Sequence, residues 1–332
     1  MTKVLISGGA GFIAAHLINR ILKTTDWEIV VLDRFTYASC GLARLKYIGA
    51  YDNSRVKIHV VNIAEPISRC LATEIGPIDY ILHLAAGSHV DASIACPRDY
   101  IEANVFGTFE MLEYARKVSG LKRFHYFSSD EVFGPAPLGY KFLETDRYNS
   151  CNPYSATKAG GEELALAWAN TYGVPVIITH CQNVIGEMQH HEKFVPRVVR
   201  AALDGATVKI HTDPKTGLPG TRNYFHADDV ADAVLFLLNN DVPIREKYNI
   251  AGDQEVSNSD VVETIELLLD IPIHRENVNP TDVRPGFDVR YGLSGEKMSK
   301  MGWTAPNNFY ERMKTLVPWY ANPDNRFWLY GK

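Results

Sequence analysis

The chain has 332 residues, of which 46% are hydrophobic and 22% charged, and its formal net charge is −5. This length suits one large or two unequal domains, and the composition excludes wholesale disorder, collagen and coiled coil. Because the chain is mildly acidic, neither nucleic acid nor an anionic membrane surface is expected as a partner.

The cysteines are odd in number, widely spaced and never arranged as C-x-x-C: Cys40, Cys70, Cys96, Cys151 and Cys181. This pattern favours neither a disulfide framework nor a zinc ribbon. The first residues run directly into an apolar strand pattern, and no apolar run reaches transmembrane length. We therefore expect a cytoplasmic protein in a reducing compartment.

The first half of the chain alternates apolar runs with stretches of helical spacing. Residues 4–7 are apolar, residues 8–11 form a glycine-rich turn, and residues 12–23 have helical spacing. Helical stretches separate most of five further apolar runs, which predict strands at 28–32, 56–61, 80–84, 123–128 and 174–179. This alternation predicts an α/β fold with a doubly wound parallel sheet that is buried on both faces.

After about Cys181 the pattern breaks into shorter elements rich in proline and glycine. We therefore predict a first domain over residues 1–180 and a smaller, mixed α/β C-terminal domain over residues 181–332. The helix predicted at 228–238 is apolar enough to pack back on the first domain.

The turn after the first predicted strand has the spacing of a dinucleotide site. Gly8, Gly11 and Ala14 form a G-x-x-G-x-x-A pattern between a strand and a helix, which lets the backbone approach a pyrophosphate and makes the fold Rossmann-type. Asp33, at the end of the second strand, can accept a hydrogen bond from a ribose 2′-hydroxyl and favours NAD. Arg34 beside it leaves NADP open, and a simple strand-to-helix turn is the plainer alternative.

Tyr154 and Lys158 lie four residues apart, on one face of a predicted helix. An ammonium beside a phenol stabilises the phenolate and lowers a pKa that is ordinarily ~10. The pair is therefore a candidate general base. An isolated Tyr-x-x-x-Lys match is more often an ordinary surface pair, but the dinucleotide turn in the same chain favours the functional interpretation.

Ser129, Asp130 and Glu131 follow the fifth predicted strand, at the end of the sheet where ligands of open α/β folds bind. Two adjacent carboxyl groups are usually solvated loop charges. In one cleft with a tyrosine and lysine base they are candidates for an acid and a base.

These motifs together resemble the extended short-chain dehydrogenase/reductase superfamily and, within it, the dTDP-glucose 4,6-dehydratase family. The Asp130-Glu131 pair discriminates, because epimerases of the superfamily usually carry small residues there, and GDP-mannose and CDP-glucose dehydratases tend to carry other pairs. The similar segments extend over nearly the whole chain: 8–13, 32–33, 36–38, 83–86, 88–91, Asn104, 107–108, 129–132, 153–155, 192–193, Arg222, Asn258, 284–286 and 302–303.

The resemblance implies an NAD-dependent hydro-lyase of nucleotide-sugar metabolism that converts an NDP-hexose, first of all dTDP-glucose, to the NDP-4-keto-6-deoxyhexose. It assigns the proton of the sugar 4-hydroxyl to Tyr154, supported by Lys158, and contact with the 4-oxygen to Ser129. It assigns the C5 proton to Glu131 and protonation of the departing 6-hydroxyl to Asp130.

The resemblance also implies binding residues and an assembly. Helices at 100–118 and 160–172 correspond to those that build a homodimer in related enzymes. For the nucleotide sugar it points to Ser88, Ser129, Asn183, Lys193, Arg222, Asn258 and Arg284. For NAD it points to Gly8, Gly11, Phe12, Ile13, Asp33, Arg34, Asn62, Ile63, Leu84, Ala85 and Ala86, with Tyr154 and Lys158.

The chain departs from the family pattern at several positions. Gly87 replaces a glutamate, Asn62 replaces an aspartate, residues 183–187 differ from Asn-Asn-Tyr-Gly-Pro, and the loop at 212–220 is longer. The nucleotide base is therefore open, and a UDP-glucose or other NDP-hexose dehydratase, a nucleotide-sugar 4-epimerase or a non-catalytic nucleotide-binding protein are alternatives. His180 and the histidines at 190–191 lack the ordered spacing of metal ligands, so no metal is expected.

Overall fold

The computed structural model describes residues 1–214, 216–252, 254–279 and 290–331. Its strands are β1 Lys3–Ser7, β2 Glu28–Asp33, β3 Val56–Val60, β4 Tyr80–His83, β5 Arg123–Phe127, β6 Val176–Cys181, β7 Asn183–Ile185, β8 Val208–His211, β9 Thr221–His226, β10 Glu246–Ile250, β11 Glu255–Ser257 and β12 Arg275–Val278. Its helices are α1 Phe12–Thr24, α2 Ala43–Tyr47, α3 Arg69–Ile75, α4 Val90–Ala95, α5 Pro97–Ile101, α6 Gly107–Ala115, α7 Pro153–Tyr172, α8 Phe194–Asp204, α9 Ala227–Asn239, α10 Asn258–Leu269, α11 Glu296–Lys300, α12 Phe309–Ala321 and α13 Phe327–Tyr330.

The main sheet has seven strands in the order β10-β6-β5-β4-β1-β2-β3, and every neighbouring pair is parallel. This confirms the predicted α/β fold with a doubly wound parallel sheet. The six predicted strands are present, with the sixth two residues later than predicted. The central strand β1 is buried on both faces, and Val4, Leu5 and Ile6 are fully enclosed.

The order of the strands creates the place where a ligand can bind. From β1 the chain builds outward to β2 and β3 on one side, then crosses to β4, β5 and β6 on the other side. A crevice opens at such a switch point, beyond the carboxyl ends of the strands. The glycine turn after β1 and the Ser129–Glu131 segment after β5 both lie at this end.

Helix α9 and strand β10 belong to the second half of the chain, but they pack with the main sheet and its helices. The buried side chains of α9, among them Val230 and Val234, share one core with Leu17 and Ile21 of α1. Helix α9 contains the stretch predicted at 228–238 and packs against α1. Strand β10, Glu246–Ile250, pairs in parallel with β6 and was not predicted.

A smaller and mixed part of the fold lies beyond the main sheet. β9 pairs antiparallel with β11 and parallel with β7, while β8 and β12 form a separate parallel pair. Helices α8, α10, α12 and α13 supply apolar side chains to its core. The division at residues 180 and 181 stays a prediction.

Within the part of the chain that the structure describes, none of the helices has both the length and the apolar character that a bilayer crossing needs.

Candidate active site

The glycine turn after β1 is shaped for close approach of another group. Gly8 has a φ of +71°, and a Cβ placed on it would lie 2.6 Å from Cα of Ala85. Gly11 precedes α1 with extended backbone and no side-chain cap, so no cap takes the amide groups of the first turn, which begins with Phe12 and Ile13. An anion placed here meets free backbone donors and the positive end of the helix.

Asp33 ends β2 beside this turn. Its carboxylate accepts hydrogen bonds from the backbone amides of Ala10, at 3.0 Å, and Phe35, at 2.7 Å. Burial raises the pKa of Asp33, although these two hydrogen bonds act to lower it. Each carboxylate oxygen has a second lone pair, so Asp33 can still accept from a ribose hydroxyl. Arg34 is exposed.

The segment after β4 is held by Asn104, a residue that carries the family resemblance but was given no role from the sequence. Asn104 accepts a 2.8 Å hydrogen bond from the amide of Gly87 and donates to its carbonyl oxygen and to Thr157 Oγ1. It lies in a π-helical turn, Glu102–Phe106, a feature frequent at functional sites. Asn104 therefore ties the segment that follows Leu84, Ala85 and Ala86 to helix α7.

The last two predicted cofactor residues follow β3. Asn62 Oδ1 accepts a 3.3 Å hydrogen bond from the amide of Ala64. Ile63 is buried, with its Cδ1 against Gly107. Three features together suit a dinucleotide. The glycine turn after β1 has no room for a Cβ, an acid ends β2, and the N-terminus of α1 has no side-chain cap.

Helix α7 begins just before the tyrosine and the lysine. Asn152 and Ser155 form a capping box, with Pro153 in the first position, so the sequence starts the helix there. Tyr154 is buried, and its amide donates a 3.1 Å hydrogen bond to Ser93 Oγ of α4. Its hydroxyl is hydrogen-bonded to Ser129.

Lys158 is buried one turn further along α7. Its Nζ donates a 2.6 Å hydrogen bond to the carbonyl oxygen of Phe127 and lies 4.3 Å from the centre of the Tyr126 ring. Burial lowers the pKa of Lys158 to about 7.

The predicted lowering of the tyrosine pKa is wrong for the protein without ligands. Burial raises the pKa of Tyr154 well above its usual range, and the negative charge of Glu131 raises it further. The reason is that Lys158 points its ammonium at Phe127 rather than at the phenol. The phenol therefore needs additional positive charge before it can give up its proton.

Asp130 and Glu131 begin a 3-10 turn, Asp130–Phe133, directly after Ser129. Asp130 is buried and accepts a 3.1 Å hydrogen bond from Ser129 Oγ. Burial, followed by the charge of Glu131, raises the pKa of Asp130 to about 8. Glu131 is half-buried and accepts a 3.1 Å hydrogen bond from Asn152 Nδ2. Ser129, Asp130, Glu131 and Tyr154 thus meet in one place.

Several predicted substrate residues come from the smaller part of the fold. Lys193 Nζ donates a 3.1 Å hydrogen bond to the carbonyl oxygen of Ser88, across the cleft. Arg222 of β9 is buried with its guanidinium 4.5 Å from the Tyr291 ring centre, and its charge opposes the rise of the Asp130 pKa. For two further residues the structure gives the position in the fold: Asn183 is the first residue of β7, and Asn258 is the first residue of α10. Arg284 lies outside the described residues.

One group of histidine and acidic side chains in the described part of the chain is compact enough to hold a metal ion: His16, His226 and Asp228. His16 Nδ1 lies 2.7 Å from Asp228 Oδ1, and its Nε2 lies 3.0 Å from the carbonyl oxygen of Glu187. His226 Nε2 lies 3.0 Å from Glu187 Oε2. These hydrogen bonds join α1 to the start of α9, and the expectation of no metal stays a prediction.

Comparisons with known proteins place this geometry in a family. The model of the NAD dependent epimerase/dehydratase family matches residues 4–251. A dTDP-glucose 4,6-dehydratase of Escherichia coli is 34% identical over 98% of this chain and 95% of its own length. A trifunctional enzyme of Arabidopsis thaliana, named in part for UDP-glucose 4,6-dehydratase activity, is 35% identical over 97% of this chain and 47% of its own.

The fold agrees with these matches. The crystal structure of a dTDP-glucose 4,6-dehydratase from Streptomyces venezuelae, with NAD bound, superposes with a TM-score of 0.87 at 31% identity, over 99% of both chains. The glycine turn, the tyrosine and lysine of α7 and the acid pair after β5 all lie within the residues that the family model matches. By fold, by sequence and by the placement of its motifs, this chain belongs to the NAD dependent epimerase/dehydratase family.

Proposed function

We propose that the chain is an NAD-dependent dTDP-glucose 4,6-dehydratase, a hydro-lyase that converts dTDP-glucose to dTDP-4-keto-6-deoxyglucose and water. One observation carries the proposal. Two adjacent carboxyl groups have opposite surroundings beside a buried tyrosine: Asp130 with a pKa raised to about 8, and Glu131 hydrogen-bonded by an amide donor. An acid and a base in one cleft are what removal of water requires.

The substrate is oxidised at C4, loses water between C5 and C6 and is reduced at C6, so that no net oxidation remains. When bound, NAD+ supplies the hydride acceptor for C4, the hydride donor for C6 and a positive charge at the reacting centre. Gly8, Gly11 and Asp33 would hold it, together with the backbone of residues 84–86.

Tyr154 takes the proton of the 4-hydroxyl as the C4 hydrogen leaves. Its raised pKa keeps Tyr154 a phenol at neutral pH, so the phenolate that accepts this proton forms only with positive charge beside it. Ser129, hydrogen-bonded to Tyr154, lies where it can donate to the 4-oxygen as the carbonyl forms.

The carbonyl at C4 makes the C5 proton acidic, and Glu131 removes that proton. Asp130 gives its proton to the 6-hydroxyl, which departs as water. The raised pKa of Asp130 keeps this carboxyl protonated at neutral pH, so it can act as the acid. Glu131 returns its proton to C5 when the hydride reaches C6.

Cations in the smaller part of the fold suit the nucleotide diphosphate. Lys193 lies at the cleft, against Ser88, and Arg222 is close enough to Asp130 to affect its pKa. We assign these two cations to the diphosphate and Asn183 and Asn258 to polar contacts with the nucleotide sugar. In this proposal residues 1–180 form the NAD-binding domain, and residues 181–332 mainly form the substrate domain.

The proposed enzyme is a homodimer. Support comes from large apolar side chains that are exposed on the helices after β4 and on α7: Ile94, Ile101, Phe106 and Tyr172. Large apolar side chains exposed to solvent are typical of an interface.

The test is an assay of the purified protein with dTDP-, UDP-, CDP- and GDP-hexoses, without added NADH. We expect the dTDP-glucose product to have lost one water and to absorb in alkali as a 4-keto sugar. Glu131→Gln should still form NADH on the enzyme but release no water, and Tyr154→Phe should form neither. A C4 epimer of unchanged mass would refute the proposal, as would inertness towards every sugar.

A further inference from the structure

A fully buried carboxylate lies directly behind the reacting groups. Glu162 is on α7, one helical turn beyond Lys158, and none of its surface is exposed. Its two oxygens accept hydrogen bonds from Ser128 and Tyr148, and Lys247 Nζ lies 3.9 Å from Oε2. A charge buried to this degree is costly unless it is paired, and these groups pair it.

Glu162 and Lys158 fasten the end of β5 to α7 at two consecutive residues. Lys158 donates to the carbonyl oxygen of Phe127, and Glu162 accepts from the hydroxyl of Ser128. The next residue is Ser129, which is hydrogen-bonded to Tyr154 and Asp130. The two contacts therefore set the distance between the helix that carries Tyr154 and the segment that carries the acid pair.

A histidine on the other side completes the pairing. His180 Nε2 lies 3.0 Å from Glu162 Oε2, and Nδ1 lies 2.9 Å from Asn249 Oδ1. The amide of Asn249 is oriented by its 3.1 Å donation to the carbonyl oxygen of Phe142. Both ring nitrogens thus face oxygen atoms, and His180 is held between Glu162 and Asn249.

We propose that Glu162 is a positioning residue of the dehydratase reaction: it holds Ser128 and Ser129 against α7 and places a negative charge one helical turn from Lys158. This inference rests on the function proposed above. It assigns to Glu162 an effect on the charge of Lys158 rather than contact with the sugar or the cofactor.

The surroundings of Lys158 support this assignment. His83 and His125, both buried near it, have pKa values lowered to about 3 and are neutral at working pH. Tyr126 is also buried, with a pKa raised well above its usual range, and contributes no negative charge. Burial lowers the Lys158 pKa, and Glu162 is the charge that raises it.

Glu162→Gln tests the charge, with Glu163→Gln as the matched control because Glu163 is the next residue of α7 and is exposed. The measurement is the pH dependence of the first half-reaction, followed as NADH absorbance in a single turnover. We expect the alkaline limit to fall by about one pH unit in Glu162→Gln and to stay unchanged in Glu163→Gln. Glu162→Asp should restore the limit because it retains the charge. An unchanged limit in Glu162→Gln would overturn the proposal.

His180→Gln covers the case in which Glu162→Gln does not fold. Glutamine can still donate to Glu162 and leaves the negative charge of Glu162 in place, so Lys158 should hold its proton at least as firmly as in the wild type. We expect the alkaline limit to stay at the wild-type pH or rise. A lower limit would show that packing rather than charge sets it and would contradict the proposal. The wild-type reaction separates the two claims, because its failure with dTDP-glucose would refute the proposed function itself.

Discussion

Asp130 and Glu131 are neighbours in the chain, yet their carboxyl groups have different surroundings. Asp130 is enclosed, and within the described structure its Oδ2 is buried without a hydrogen-bond partner. Glu131 is half-buried and accepts a hydrogen bond from the side-chain amide of Asn152. The turn that begins at Asp130 sends the two side chains in different directions, and this separates an acid from a base.

Replacement of Asp130 by asparagine should remove the acid while leaving the first oxidation intact. We expect the rate of water loss to fall at least ~100-fold, the usual contribution of a general acid. In the wild type, Asp130 is protonated below its pKa of about 8, so water loss should be constant below pH 7 and decline above pH 8. The measurement is product absorbance in alkali across this range, beside NADH absorbance. Water loss that rises above pH 8 would exclude Asp130 as the acid.

The proposed catalytic residues could be predicted from the sequence, but several residues that position them could not. Tyr154 and Lys158 are recognised by their spacing, and Asp130 and Glu131 by their adjacency after a strand. Asn104 acts on Gly87 and Thr157, which are 17 and 53 residues away, and no local pattern contains such a contact. The expected pKa of Tyr154 was wrong because spacing does not tell where an ammonium points.

At the scale of elements, the turn after β1 allows a matched pair of substitutions. Gly8 and Gly76 share a φ of +71°, but a Cβ on Gly8 would strike the backbone of Ala85, whereas a Cβ on Gly76 would meet nothing within 4 Å. Both changes to alanine should cost about 1–3 kcal/mol of unfolding free energy, because a Cβ disfavours a positive φ. Gly8→Ala should lose more, and its affinity for NAD should fall roughly tenfold or further.

Chemical denaturation and NAD titration by calorimetry check this prediction. If the two variants are equally stable and bind NAD equally well, the turn does not hold the cofactor by close approach.

The elements that were predicted poorly from the sequence are those in which apolar residues do not recur at a regular spacing. The stretch 100–118 was predicted as one helix, but the structure has part of α5, a π-helical turn and then α6. Asn104 lies in the π-helical turn and contacts Gly87 from there. Strand β10, Glu246–Ile250, begins with two charged residues, so it lacks the continuous apolar run by which the other six strands were predicted.

At the scale of the whole molecule, the chain leaves the main sheet after β6 and later adds one more helix and one more strand to it. Helix α9 packs on α1, with Arg20 and Asp232 in a 2.6 Å ion pair, and β10 completes the edge of the sheet beside β6. Helix α9 was predicted to return because it is apolar enough to pack back on the first domain. The edge position of β10 depends on pairing across about 70 residues of chain, which local patterns do not record.

The proposed homodimer gives the final prediction. Phe106 is 55% exposed on the helices after β4, and Leu138 is 96% exposed in the loop after β5. A glutamate at position 106 would place a charge in the proposed interface, where burial of an unpaired charge is costly, whereas a glutamate at 138 would meet only water. Sedimentation velocity should therefore show a dimer for the wild type and Leu138→Glu and a monomer for Phe106→Glu. A wild type that sediments as a monomer would refute the dimer. A dimeric Phe106→Glu would move the interface away from this face, and circular dichroism of the same samples shows whether the variant is folded.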